Sequence, residues 1–203
     1  MATMVMPPDR FKAIIERRRR YGQDSHDEVW NGVYVMSPIA DVSHQIIVTL
    51  LSSAIVESVR DRGVLVLSGV NVSDRADDWT RNYRVPDVAV FMPGNPAENR
   101  ETHFLGGPDF LVEVVSKYDR SRRKLDFYAS IGVREVLLVN RAPWRIDLYR
   151  LKDGELELAA TSHPGGEQAV ESEVVGLSFR LAPAEPRPSI EIDDPQKNAH
   201  WTV

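Results

Sequence analysis

An apolar run with a carboxylate at its centre is the feature that most constrains this 203-residue chain. The segment FLVEVV, residues 110–115, has the composition of a buried strand, yet it contains Glu113. A charge inside such a run costs several kcal/mol or more unless a partner offsets it. A second strand-like run, VPDVAVF at 85–91, contains Asp87. Because alternate residues of a strand share a face, each acid belongs to an otherwise apolar face.

The two carboxylates can converge if these strands pair as neighbours. They would then repel each other unless a proton or a cation lies between them. Mg²⁺ suits two carboxylates that are completed by waters and a phosphate, so a metal site is one interpretation. Two structural alternatives stay open. Asp87 can be a strand-start residue that accepts from a loop amide, and Glu113 can pair with a buried arginine.

Lys124 follows Glu113 by eleven residues, in the first turns of a predicted helix. A helix after a strand packs back over the sheet, so a long side chain there can reach the carboxylates. Its ammonium could stabilise developing phosphorane charge or hold an attacking water. The alternative is a surface lysine, since Arg122 and Arg123 stand beside it.

The composition narrows the function classes. The net charge of −5 argues against a non-specific nucleic-acid coat, but a local basic cleft can coexist with an acidic exterior. The run ERRRR at 16–20 is either a solvated helix end or a phosphate-binding element. The absence of cysteine excludes disulfides, thiolate metal sites and cysteine nucleophiles. We expect a soluble, cytoplasmic protein, because the N-terminal residues do not resemble a signal peptide and no apolar run approaches the roughly 20 residues that span a membrane.

The order of predicted elements indicates an α+β fold with a mixed β-sheet flanked by helices and a hairpin at each end. Asp41 or Ser43 would cap the first core helix, and His44 would point inward from it. The Rossmann and P-loop glycine patterns and the G-x-S-x-G elbow do not occur. The predicted elements are a helix at 9–20, a hairpin turning at Asn31-Gly32, a helix at 41–62, strands at 63–73, 82–92 and 108–116, a helix at 119–132, a strand at 133–141, a hairpin turning at Asp153-Gly154 and a strand at 174–181.

The ordered motifs resemble the PD-(D/E)XK nuclease superfamily and, within it, the Uma-type family of restriction-endonuclease-like proteins. The motifs are VPD, VEVVS followed by KYDR, and RRKLDFYASIGVREVLLV, with DEVWNGVYVMSP and SHQ upstream. They cover roughly residues 25–182. The resemblance implies a restriction-endonuclease-like core of order αβββαβ. We predict an N-terminal helical arm over residues 1–24, the nuclease-like domain over 25–183 and an extended or mobile tail over 184–203.

The resemblance also implies roles for individual residues. Asp87, Glu113 and the Val114 carbonyl would bind Mg²⁺ or Mn²⁺. The standard motif has lysine where this chain has Val115, and Lys124 occupies the helix position that takes over in the Uma-type family. The remaining matches are His44 and Glu28 as assisting catalytic residues, and Ser116 and Asp119 as residues that shape the turn and cap the helix.

These expectations lead to one main function and two alternatives. The main prediction is a metal-dependent endonuclease acting on DNA, as a homodimer and without a membrane partner. The first alternative is a catalytically inactive nucleic-acid or protein-binding module, which Val115 and the acidic pI of about 5.6 favour. The second is a metal-dependent hydrolase of small phosphates.

Overall fold

The computed structural model describes residues 4–6, 12–37, 40–115 and 121–203. The helices in these ranges are α1 (Lys12–Arg20), α2 (Val42–Val59) and α3 (Leu125–Ser130), with 3₁₀ turns at Arg60–Arg62, Trp79–Arg81 and Ser121–Lys124. The strands are β1 (Met4–Met6), β2 (Glu28–Trp30), β3 (Val33–Met36), β4 (Leu65–Ser68), β5 (Val72–Ser73), β6 (Tyr83–Arg84), β7 (Val88–Phe91), β8 (Glu98–Asn99), β9 (Phe104–Leu105), β10 (Phe110–Val115), β11 (Glu135–Arg141), β12 (Trp144–Lys152), β13 (Glu155–Ser162), β14 (Val170–Glu171), β15 (Ser178–Ala182), β16 (Ser189–Asp194) and β17 (Ala199–Thr202).

A six-stranded mixed sheet, ordered β13-β12-β11-β10-β7-β4, positions the candidate site. Strands β10 and β11 are parallel, and the other pairs are antiparallel. One face of the sheet packs on α2, whose Ile47, Leu51 and Ile55 are fully buried. The other face packs on α3 through Phe127 and Tyr128. The predicted mixed sheet flanked by helices, with the core order α2-β4-β7-β10-α3-β11, is therefore confirmed.

Both predicted tight hairpins form. Asn31 and Gly32 have φ angles of 48° and 83°, and Asp153 and Gly154 have 50° and 88°. Positive φ at both central residues is the requirement of a type I′ turn, which matches the twist of the flanking strands. The first hairpin pairs β2 with β3, and the second pairs β12 with β13.

Two long predicted strands are each broken in the structure. Strands β4 and β5 belong to different sheets, and so do β6 and β7, because β5 and β6 join the seven-stranded sheet β1-β3-β2-β6-β5-β9-β8. The first break contains Gly69, whose φ of 64° is left-handed. The second contains Pro86, which has no N–H for a ladder bond. The chain thus changes sheets immediately before Asp87.

The C-terminal residues, for which we predicted an extended or mobile tail, form two extended strands that join a sheet. Strands β16 and β17 extend a four-stranded sheet, β14-β15-β16-β17, that packs against the central sheet. Ile190 and Ile192 are fully buried and alternate with outward Glu191 and Asp193. This period-two pattern is that of a half-buried strand, and the nearby prolines and acids obscured it. The division of the chain into three parts stays a prediction.

Helix α2 begins and ends with clear signals. The Asp41 carboxylate accepts from the His44 N–H at 2.8 Å, which satisfies one of the open N-terminal amides. Hydrogen bonds from the Arg141 guanidinium, and then the His44 amide, lower the pKa of Asp41 to about 2. Gly63, with φ of 65°, ends the helical segment. The predicted cap at Asp41 is thus confirmed.

The same segment corrects the expectation that no apolar run reaches membrane length. Residues Val42–Arg62 are long and apolar enough to cross a membrane, with a mean hydropathy of 1.4. Core helices of soluble proteins pass the same test, and the inner face of α2 is buried against the sheet. The cytoplasmic location stays a prediction.

The basic end of α1 is not uniformly solvated. Arg18 binds the buried Asp27 carboxylate with two hydrogen bonds of 2.6 and 2.7 Å. Arg17, Arg19 and Arg20 are exposed. One arginine of the run therefore ties α1 to the first hairpin.

Candidate active site

The ladder of β7 and β10 places the backbones of the two predicted metal-binding acids on neighbouring strands. The ladder of β7 and β10 pairs Val88 with Val112 and Val90 with Phe110. Asp87 immediately precedes β7, so continuing this register places its backbone opposite Glu113. Its carboxylate, however, contacts the Val114 N–H and His44 of α2. The strand pairing brings the two backbone positions together, and the convergence of the two carboxylates stays a prediction.

Pro86 shapes the backbone at this point. It stands opposite Val114 in the continued register, where the next ladder hydrogen bonds would form. The Val114 N–H instead donates to Asp87 Oδ2 at 2.7 Å. Proline has no N–H to donate to the Val114 carbonyl. The Asp87 carboxylate thus replaces a ladder acceptor here, and the Val114 carbonyl receives no ladder hydrogen bond from the opposed proline.

Lys124 lies between two buried glutamates. Its Nζ is 2.9 Å from Glu113 Oε1 and 2.8 Å from Glu28 Oε1. It is the last residue of the 3₁₀ turn that precedes α3, so it approaches the sheet from the face that α3 covers. All three side chains are buried. The prediction that a helix lysine reaches Glu113 is borne out as geometry, while the catalytic roles stay predictions.

Further donors fix both glutamates. Tyr128 Oη donates to Glu113 Oε1 at 2.5 Å. Burial, followed by the charge of Glu113, raises the pKa of Tyr128 well above its ordinary value, so the phenol stays a donor. Glu28 accepts from Trp30 Nε1 at 2.7 Å and from the Val85 N–H at 2.9 Å.

Arg84 is a buried cation beside this cluster that the sequence reasoning missed. Its guanidinium carbon lies 4.7 Å from the Trp30 ring centroid and 4.1 Å from that of Phe127. Burial lowers the pKa of Arg84, and the charge of Glu28 acts against that shift. Cation–π contact with two rings offsets part of the desolvation. The only sequence signal was one arginine in the strand-like run NYRVPD.

His44 lies next to Asp87. Its Nε2 is 3.2 Å from Asp87 Oδ2. Burial lowers the pKa of His44, but the hydrogen bond and the charge of Asp87 outweigh burial, so the pKa is raised overall. The buried Nδ1 has no hydrogen-bond partner within the described ranges. The imidazole Nε2 can carry a proton that faces Asp87, and the imidazole can also give that proton up.

The protein groups at this strand end fit an ion that shares its coordination with substrate and water. Asp87, Glu113 and the Val114 carbonyl are oxygen donors, and Mg²⁺ commonly uses one or two carboxylates with waters and substrate phosphates. Among the residues the structure describes, no group of three or more His, Cys, Asp or Glu side chains is arranged to hold a metal. Lys124 lies between Glu28 and Glu113, which keeps the third acid from such a group.

The five predicted side chains therefore form two groups, and the members of each group are in contact. Asp87 contacts His44, and Glu113 contacts Lys124, which also contacts Glu28. Val115, at the standard lysine position, packs in the apolar cluster beneath α3. Ser116 and Asp119, predicted to shape the turn, lie outside the described residues.

Comparison with known proteins places this chain in a family. Residues 15–184 match the family model Uma2, described as "Putative restriction endonuclease". The chain belongs to the Uma2 family. Membership supports a nuclease, as the sequence motifs predicted.

A solved structure shares the fold of this Uma2 protein. It is described as a "putative nuclease belonging to DUF820" from Anabaena variabilis ATCC 29413. The TM-score is 0.58 at 16% identity, and the match covers 73% of this chain and 82% of the other. No curated protein sequence matches the chain.

Proposed function

We propose that this protein is a metal-dependent endonuclease that hydrolyses phosphodiester bonds in DNA. One observation carries the proposal: the Lys124 ammonium lies 2.9 Å from Glu113 Oε1 at the strand end where Asp87 stands opposite Glu113. This contact supplies an acid and a lysine of the motif, although the lysine comes from a different element than in the standard motif, and Asp87 as the second acid is part of the proposal. Family membership supports the nuclease class, and DNA as the substrate is part of this proposal.

The residues have distinct roles in this proposal. Asp87, Glu113 and the Val114 carbonyl would hold Mg²⁺ or Mn²⁺, which when bound neutralises phosphate charge and makes water more acidic. Lys124, held by Glu28 and Glu113, orients the attacking water or stabilises charge on the phosphate.

His44 and Glu28 assist these groups. His44 Nε2 lies beside Asp87, and the hydrogen bond and charge of that carboxylate outweigh burial and raise the pKa of the imidazole. Glu28 holds the ammonium together with Glu113.

A non-catalytic nuclease-fold binding module is the second candidate. Val115 at the standard lysine position and the net charge of −5 favour it. It gives no reason, however, to keep an ammonium desolvated between two carboxylates, which is costly unless the arrangement is needed. A hydrolase of small phosphates is a third candidate, and a phosphodiester dye assayed beside plasmid DNA separates it.

The proposal includes a homodimer in the cytoplasm. Val42, Ile46, Leu50 and Val56 on α2 are exposed apolar residues, and no Asp, Glu, Lys or Arg lies between residues 42 and 56. An uncharged apolar helix face is self-complementary about a two-fold axis, so a second copy of this chain is the occupant we propose.

Nicking of supercoiled plasmid with added Mg²⁺ or Mn²⁺ tests the activity. We expect D87N and E113Q to abolish metal-dependent nicking. D109N is the matched control, because Asp109 is a buried acid at the opposite end of β10 that accepts from the Met92 N–H and Asn95 Nδ2 at 2.8 and 2.7 Å. This variant should retain nicking.

Thermal stabilisation by Mn²⁺ gives a second readout. A ligand that binds only the folded state raises its stability in proportion to the logarithm of its concentration. The wild type and D109N should be stabilised, and D87N should not. Nicking by D87N at the wild-type rate would overturn the assignment. A wild-type protein whose thermal stability does not change with Mn²⁺ would favour the binding module.

A further inference from the structure

A buried aspartate in the central sheet holds two arginines on the face that carries Glu113. Asp147 in β12 pairs with Leu138 in β11, which in turn pairs with Glu113 in β10. Paired residues project to the same face, so Asp147 and Glu113 lie in one row across the sheet. Two strand spacings separate them, which is roughly 10 Å.

Asp147 accepts hydrogen bonds from two arginines, although one would balance its charge. Its Oδ2 accepts from Arg122 Nη2 at 2.7 Å, from Arg145 Nε at 2.9 Å and from Asn140 Nδ2 at 3.1 Å. Its Oδ1 accepts from Thr161 Oγ1 at 3.0 Å. One guanidinium would neutralise the carboxylate, so the second leaves the group with a net positive charge.

Both guanidiniums remain accessible. The side chains of Arg122 and Arg145 are 51% and 31% exposed, whereas that of Asp147 is 2% exposed. Each guanidinium has five N–H donors, and Asp147 occupies only one edge of each. Over the described ranges, no other protein acceptor binds either guanidinium side chain. A buried anchor therefore orients two arginines whose other donors face outward.

We propose that Arg122 and Arg145 form a binding site for a DNA backbone phosphate that flanks the cleaved one. Arginine forks match phosphate geometry, and prior orientation by Asp147 lowers the entropy lost on binding. A DNA strand carries one phosphate per about 3.4 Å of axis, so roughly 10 Å places this phosphate within about three nucleotides of the scissile bond. The site rests on the proposed nuclease function and adds substrate positioning to it.

The salt dependence of DNA binding tests the site. A labelled duplex is titrated with protein in Ca²⁺, between about 50 and about 200 mM salt. The variants are R122Q, R145Q and the conservative R122K. The matched control is R134Q, because Arg134 is 58% exposed and stands just before the N-terminal end of β11.

We expect R122Q and R145Q each to weaken binding roughly tenfold or more. Each should also reduce the slope of log affinity against log salt by about 0.9, the value for one lost phosphate contact. R122K keeps the charge and should keep the slope, while R134Q should match the wild type. A merely structural role of Arg122 would not change the slope.

The outcomes separate the two proposals. If the wild type binds with a steep salt slope and both glutamine variants keep it, the phosphate site is refuted and the nuclease proposal survives. If the wild type neither binds nor cuts DNA, both are overturned. Should R122Q fail to fold, R145Q decides the question alone, because it leaves Arg122 on Asp147.

Discussion

Replacement of Lys124 by methionine tests whether the lysine holds the site together. The change keeps the length of the side chain and removes the ammonium that bridges Glu28 and Glu113 at 2.8 and 2.9 Å. Breaking a buried ion pair by removing one partner costs about 3–5 kcal/mol, since it leaves buried charge uncompensated. Tyr128 and Trp30 still donate to the two glutamates, so we expect the lower end, about 3 kcal/mol.

The free energy of unfolding in urea measures this cost. For a chain of this size about 3 kcal/mol corresponds to a fall in Tm of roughly 6–12 °C. The urea midpoint should fall while the m-value stays constant, which identifies a change in stability and not in compactness. The control is K152M, because Lys152 is exposed and forms only a long surface ion pair, with its Nζ 3.8 Å from Glu157 Oε2. It should change stability by less than about 0.5 kcal/mol.

A double-mutant cycle with E28Q isolates the Glu28–Lys124 contribution. Residues in contact show coupling energies of about 0.5–3 kcal/mol, so E28Q/K124M should lose less than the sum of the single changes. Equal stability of K124M and K152M would refute the idea that Lys124 is a buried bridge. Additivity within about 0.3 kcal/mol would refute the coupling to Glu28 alone.

Two further predictions concern α2. D41A should cost about 1 kcal/mol through loss of the N-cap, measured by urea unfolding. Because the folded-state pKa of Asp41 is about 2, below its unfolded value of about 3.9, its contribution is present above pH 3.9 and is lost as the pH falls through 2. A D41A deficit that is unchanged at pH 2 would contradict this linkage. I46D/L50D should make the protein monomeric in light scattering because it charges the proposed dimer face. A wild-type monomer, or a variant that stays dimeric, would refute that face.

Much of the fold follows from local signals in the sequence. The Asn31-Gly32 turn, the cap at Asp41 and the apolar run at 110–115 each depend on a few neighbouring residues, and each is present. Gly69 and Pro86 mark the breaks within residues 63–73 and 82–92, but the apolar pattern continues past both and concealed the change of sheet. Which sheet a short strand joins depends on partners distant in sequence, which periodicity does not contain.

The candidate site was predictable in part for the same reason. A separation of eleven positions between Glu113 and Lys124 suffices to bring a following helix back over its strand, so their contact could be anticipated. Arg84 contacts the rings of Trp30 and Phe127, which are far apart in sequence from each other and from Arg84. No spacing rule connects these three positions, and only the folded structure shows them.

The position of the lysine explains why Val115 is compatible with a nuclease site. A lysine at 115 would project from the same strand face as Glu113, directly under α3, where Val115 now packs among apolar side chains. From the turn before α3, the Lys124 ammonium instead reaches Glu113 of the central sheet and Glu28 of the seven-stranded sheet together. The helix position therefore couples two sheets through one cation, which makes the geometry of the site dependent on the packing of the first hairpin.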